Sequence, residues 1–231
     1  MKLQFALRQA LLGKIRIRPG LPLLKKTIEK QNEALYYHLL LSRTIPTEVS
    51  RKINQVVDIG CRNWSYAPTL ADFFPKASLV GIEVDGGRRY WNLYRRMDFA
   101  QAMANQLSKE GRVAHFYAQD FEKLSHLPSL ESTAFCFFFP FVSDRPCIQW
   151  GLPTYFVRFL ELLRHAQILS LENKTPCIIM SAHQGEWEAE IARKIYQKNQ
   201  WVTQEFTVLA NEFGKFWPSS FDTHLFSTLL F

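Results

Sequence analysis

Residues 56–85 read VVDIGCRNWSYAPTLADFFPKASLVGIEVD, and this stretch decides the fold. Val56–Ile59 is a short apolar run of strand type, and Gly60 follows where a tight turn is needed. Tyr66–Phe74 has the composition of a helix and is stopped by Pro75. Leu79–Val84 is a second strand, with Glu83 at its carboxyl end. A strand, turn, helix and strand in this order make one parallel unit, and a nucleoside cofactor with an acidic or phosphate-bearing tail fits across its two strand ends.

Working outward, the pattern repeats. The spacing of Tyr90, Leu93, Tyr94, Met97, Ala104 and Leu107 predicts one long helix over 88–110, closed by Gly111. Strands are expected at 113–118 and 134–139, then a loop rich in proline and aromatics over 140–153. A helix over 154–171, a strand over 177–182 and a helix over 186–198 follow, with two late strands at 201–210 and 223–231. Apolar strands separated by helices imply a parallel sheet covered on both faces. Two final strands with no helix between them imply an antiparallel pair at one edge. The expected fold is therefore α/β, a mostly parallel Rossmann-like sheet with a C-terminal antiparallel edge pair and an N-terminal helical extension. Residues 1–50 form the extension, read as helices over 1–18 and 23–42 around the breaker Pro19-Gly20-Leu21-Pro22, and residues 51–231 form the main domain.

The charge is uneven. The chain carries 28 Lys and Arg against 21 Asp and Glu. Residues 1–52 hold eleven of the basic residues and three of the acidic ones, Glu29, Glu33 and Glu48. Such a segment suits an anionic partner, either nucleic acid or a lipid surface; it equally suits a solvated basic helix. Cys61, Cys136, Cys147 and Cys177 form no CxxC pair, which reads as reduced intracellular thiol used as core filler. The histidines lack zinc-ligand spacing. No apolar run is long enough to span a bilayer and no secretory signal is evident, so a cytoplasmic chain is expected. Oligomeric state has no signature.

Asp58-Ile59-Gly60 at a first strand end, Gly81-Ile82-Glu83 at a second and Gln119-Asp120 after a third resemble the S-adenosylmethionine-dependent methyltransferases of Rossmann-like fold. The reversed final strand pair fits that family too, and the resemblance covers roughly residues 50–231. It implies S-adenosylmethionine as cofactor, with Asp58, Gly60, Arg62, Glu83 and Asp120 as the cofactor-binding residues. Glu83 would receive the ribose hydroxyls and Asp120 the adenine amino group. Gly60 would bring backbone amides to the amino-acid end, and Arg62 would pair with its carboxylate. The family's glycine run departs here: Arg62 and Trp64 stand at the second and third glycine positions. Either the turn is rebuilt or the cradle is closed, which leaves two readings: a methyltransferase acting on RNA or a small molecule, or a catalytically inactive module that binds through its basic N-terminal segment.

The loop after the fourth strand lacks the Asn/Asp-Pro-Pro-Tyr/Phe run of enzymes that methylate exocyclic amines. A looser similarity joins Gly81-Ile82-Glu83 and Phe139-Pro140-Phe141 to tRNA guanine-N7 methyltransferases, without their Asp-Pro-Trp-Pro run. A nicotinamide-dependent oxidoreductase is disfavoured by the missing glycine fingerprint and Tyr-x-x-x-Lys pair. Asp144, Arg145 and His183, all expected on loops at one sheet edge, are the acid/base or acceptor-binding candidates. Arg88, Arg89, Arg95 and Arg96 are expected on one solvated helix face.

Overall fold

The structure is a computed structural model, and it describes residues 28–90, 93–124, 132–172, 176–212 and 221–230. The expected helix over 1–18 and most of the basic N-terminal segment lie outside the described residues.

The elements follow the expected alternation. Helix α1 (Ile28–Thr44) and the one-turn α2 (Thr47–Ser50) precede β1 (Gln55–Ile59), α3 (Ala67–Phe73) and β2 (Ser78–Ile82). Then come α4 (Arg96–Lys109), β3 (Ala114–Tyr117), β4 (Thr133–Phe138) and α5 (Asp144–Gln149). Helix α6 (Phe159–Glu172), β5 (Cys177–Gln184), α7 (Glu186–Lys198), β6 (Gln204–Val208) and β7 (Thr223–Leu230) complete the chain. The sheet order is β3-β2-β1-β4-β5-β7-β6. The first five strands are parallel, and β7 inserts antiparallel between β5 and β6. The order reverses beside β1, where β2 and β4 flank it, so a crevice opens there at the carboxyl strand ends.

Every residue of β1 and β4 is buried, as a sheet covered on both faces requires. Side-chain alternation sorts the core into two layers. On one face Val56, Leu79, Ala134, Cys136, Met180 and Leu225 meet Tyr37, Leu40 and Leu41 of α1, Leu70 of α3 and Met103 of α4. On the other, Val57, Val80, Phe135, Ile179 and Phe226 meet Leu163 of α6 and Ala192 and Tyr196 of α7. Helix α1 thus covers the same face as α3 and α4, and its Tyr36 hydroxyl meets Thr223 Oγ1 of β7 at 3.1 Å. All four cysteines are free and buried.

Three elements differ from the sequence expectation. The helix expected over 88–110 begins only at Arg96. Residues 85–90 instead pair back with 93–95, with Leu93 at φ +66° and a bridge between Arg89 and Arg95. The open amides of the first helical turn explain the boundary. Arg96 N donates to Arg88 O at 2.9 Å, Met97 N to Gly86 O at 2.9 Å, and Arg95 N to Asp98 Oδ2 at 2.7 Å. The four arginines consequently do not share one solvated face: Arg96 is buried, and Arg88 pairs with Asp85 at 2.9 Å. Asp85 belongs to this ion-paired turn, facing both Arg88 and Arg96.

The loop over 140–153 contains α5, and the helix expected from 154 starts at Phe159 after a single 3-10 turn. A small apolar cluster of Cys147, Leu152 and Phe156 steadies this segment.

Candidate functional site

The turn after β1 builds the floor of the site. Gly60, Arg62 and Trp64 all have positive φ, at +79°, +57° and +56°. For arginine and tryptophan this conformation is unfavourable by roughly 1–2 kcal/mol each. It persists because the turn's amides are used: Gly60 N donates to Ile82 O at 2.8 Å, and Arg62 N to Glu83 Oε2 at 2.8 Å. It also drives the Trp64 indole downward into the core, where it is fully buried. The indole lies flat over Gly81 of β2, so closely that a Cβ there would come within 2.8 Å of the ring. Its Nε1 donates to Asp58 Oδ2 at 3.0 Å.

A cavity of about 490 Å³ therefore stays open above the strand ends, within the size range of ligand sites. Gly60, Arg62, Glu83 and Asp120 line it, so the ends of β1, β2 and β3 contribute side by side. A Cβ on Gly60 would meet nothing within 4 Å, so the space beside the turn is free. Ile59, Ile82, Phe121 and Phe137 give apolar walls, and Tyr36 and Tyr37 close it from α1.

Glu83 is buried, not a solvated strand end. Its Oε1 accepts from Asp85 N at 2.7 Å, and Arg96 Nη1 stands 3.8 Å from Oε2. Burial pushes its carboxyl up, while the Arg96 charge and the backbone donors oppose the shift. Two amides occupy only part of a carboxylate's acceptor capacity, so room remains for two ligand hydroxyls. Asp120 lines the cavity and also starts a turn, accepting from Glu122 N at 3.2 Å. Arg158 holds its Oδ2 at 2.6 Å.

The other sequence candidates sit elsewhere. Asp58 is fully buried beneath the turn and does not line the cavity. Asp144 and Arg145 are exposed on α5 rather than in a loop; only their neighbour Pro146 lines the cavity. His183 lies within β5, fully buried, with Nε2 2.9 Å from Ser181 Oγ and its ring against Phe159 and Phe226. Alternation along β5 places it on the sheet face covered by α6 and α7, so the expectation of a loop histidine is corrected. Arg96, Arg158, Gln184 and Glu188 line the cavity and were missed. Arg96 sat in a supposed solvated face, and nothing near Arg158 marks it in the sequence. Glu188 reads from sequence only as a favourable charge at a helix start.

Two buried groups give a pH test of this packing. Burial raises the Asp58 carboxyl to about 7, with the Tyr66 hydroxyl and Trp64 indole opposing. Burial, with help from His224, lowers His183 to about 3. The folded state keeps the Asp58 proton that the unfolded chain loses near about pH 4, so this stability fades as pH rises to 7. Unfolded histidine gains a proton near about pH 6.5, so the His183 contribution fades as pH falls towards 3. Each slope is about 1.4 kcal/mol per pH unit, and the two oppose each other between about pH 4 and 6.5. Asp58→Asn is expected to unmask the histidine, so its urea midpoint falls on acidification across that window more steeply than the unmodified chain's. Parallel profiles would contradict the placement of both groups.

No protein-family model and no curated protein matches the sequence. Solved structures do resemble it. A cyclopropane-fatty-acyl-phospholipid synthase-like protein from Lactobacillus casei superposes over 100% of both chains, with TM-score 0.54 and 9% identity. The human methyltransferase 10 domain containing protein covers 98% of this chain and 93% of its own, with TM-score 0.51 and 10% identity. The METTL16 methyltransferase domain gives the same coverage and TM-score at 11% identity. With the strand order above, these likenesses establish that the chain has the Rossmann-like fold of the S-adenosylmethionine-dependent methyltransferases.

Proposed function

We propose that the chain binds S-adenosylmethionine in the strand-end cavity and transfers its methyl group to an acceptor. One observation carries this reading: Gly60, Glu83 and Asp120, on three adjacent strand ends, line a single cavity that Trp64 does not enter. Glu83 takes the two ribose hydroxyls on its remaining lone pairs, and Asp120, oriented by Arg158, takes the adenine amino group. Phe121, Ile82 and Leu162 exclude water around the base. Gly60 lets the turn's backbone approach the amino-acid end, and the Arg62 guanidinium, 6.0 Å from the Trp150 ring at the mouth, pairs with the carboxylate. Asp58 supports the turn from below through the Trp64 indole. The bound cofactor would supply an electrophilic methyl on a sulfonium. The chain's own task is then to align the acceptor and hold water out. Asp144 and Arg145 immediately precede Pro146, which lines the cavity, so an incoming acceptor would pass near them.

A second reading rests on a specific feature. Glu83 already holds two backbone amides and Asp120 already holds Arg158, as in a binding module whose acids serve only its own turns. Titration calorimetry with S-adenosylhomocysteine separates the two. The enzyme reading expects saturable heat and a rise in Tm with ligand concentration. Neither heat nor shift at millimolar ligand would leave the binding module as the account.

A further inference from the structure

We propose that the acceptor is a small aromatic hydroxyl compound, and that Glu188 takes its proton. The inference rests on the cofactor reading above and deepens it.

The cavity has two chemically different halves. The acids suited to an adenosyl group, Glu83 and Asp120, belong to the β2 and β3 ends. Across the switch point, the β4 and β5 ends contribute Phe138, Phe139 and Phe141, then Gln184 and Glu188, with Tyr36 and Tyr37 above them. In the sheet order, β2 and β5 are three strand spacings apart, roughly 14 Å. A cofactor anchored on β1 to β3 therefore leaves the β4–β5 half for whatever it reacts with.

That half is walled by rings. Tyr37 stacks on Tyr66 at 3.7 Å and stands edge-on to Phe138 at 4.9 Å, and Tyr36 runs parallel to Phe139 at 6.0 Å. A flat aromatic guest matches such walls, because rings associate face to face or edge to face. At about 490 Å³ for both occupants, the space suits one or two rings.

Glu188 is the one carboxylate in the aromatic half among the lining residues. It sits in the first turn of α7, half-buried, and its Oε2 has only a long 3.4 Å contact from Gln184 N. Burial lifts its carboxyl above the usual range, which makes it a better proton acceptor. The other titratable groups nearby do not compete. The Cys147 thiol of α5 is pushed up to about 11, Tyr36 of α1 to about 12, and Tyr37 well above its ordinary value.

A carboxylate decides between nucleophiles. Beside an amine it favours the ammonium ion, which has no free electron pair. Beside a phenol it accepts the proton and frees one. In the step, the phenolic O–H proton passes to Glu188 and an oxygen pair forms the new O–CH3 bond. The methyl–sulfur bond breaks, its electron pair remains on sulfur as a neutral thioether, and Glu188 returns the proton to water.

The test uses the full chain saturated with S-adenosylhomocysteine, with 4-methylphenol and 2-naphthol as probes and their methyl ethers as controls. Calorimetry is expected to show that the phenols bind and the ethers bind at least about tenfold more weakly. In Glu188→Gln that preference is expected to collapse to about threefold or less, with S-adenosylhomocysteine affinity unchanged. With S-adenosylmethionine, the rate of ether formation should lose its acidic limb in the variant. Equal binding of phenols and ethers, no phenol binding, or an unaffected variant would each overturn the proposal. Failure of S-adenosylhomocysteine itself to bind overturns the cofactor reading instead, so the two failures are distinct.

Discussion

Replacing Glu83 by alanine is expected to abolish measurable binding of S-adenosylhomocysteine. A hydrogen bond to a charged acceptor contributes about 1.5–3 kcal/mol, so losing two ribose contacts weakens binding by at least about a hundredfold. The same change reaches the scaffold. Arg62 N and Asp85 N lose their acceptor, and the buried Arg96 is left with Asp85 at 3.4 Å as its remaining carboxylate. Stability should fall by about 2–4 kcal/mol, the usual range for stripping buried donors and one partner of a buried charge. Glu83→Gln separates the two effects, because the amide keeps one acceptor oxygen for the turn yet cannot serve two hydroxyls as a carboxylate does. Its unfolding midpoint should stay closer to the unmodified chain's while its affinity still drops at least about tenfold. Calorimetry read beside urea denaturation checks both. Unchanged affinity in the folded glutamine variant would remove Glu83 from the site.

Trp64→Ala should destabilise the protein although Trp64 does not line the cavity. Deleting a fully buried large aromatic side chain typically costs about 3–5 kcal/mol, and Asp58 also loses the indole hydrogen bond. Gly81 provides the internal control. A Cβ there would meet Trp64 Cδ2 and Cε2 at 2.8 Å, so Gly81→Ala is expected to destabilise by about 1–3 kcal/mol through overpacking. In the Trp64→Ala background the slot is empty, and the added methyl should be neutral or mildly stabilising. The double-mutant cycle therefore predicts a coupling of at least about 1 kcal/mol. Additive effects would mean that the indole does not rest on Gly81.

The sheet was legible because its strands are apolar runs of the right length, bounded by breakers. Val56–Ile59, Leu79–Val84 and Ala134–Phe139 each fall within a residue or two of the observed strands. The reversed β7 was readable from two late strands with no helix between them. Boundaries failed where long-range hydrogen bonds decide. Nothing local says that Gly86 O and Arg88 O will cap α4, so periodicity alone extended that helix eight residues too far.

The candidate site divides in the same way. That Gly60, Glu83 and Asp120 would meet at one cavity was readable because strand ends place them. Trp64 left two readings open, a rebuilt turn or a closed cradle, since residue size is visible in sequence and the backbone conformation that aims the side chain is not. His183 shows the converse: a residue that looks like a loop base becomes a neutral core histidine once β5 runs on to Gln184. Arg96 opens α4 and Arg158 stands just before α6, and both meet the acids only after folding.

The most direct measurement is a crystal structure of the chain soaked with S-adenosylhomocysteine. The account predicts density across the ends of β1, β2 and β3, with both ribose hydroxyls on Glu83, the adenine amino group on Asp120 and the Trp64 indole still over Gly81. An empty cavity at saturating ligand, or a ligand bound away from Glu83, would contradict it.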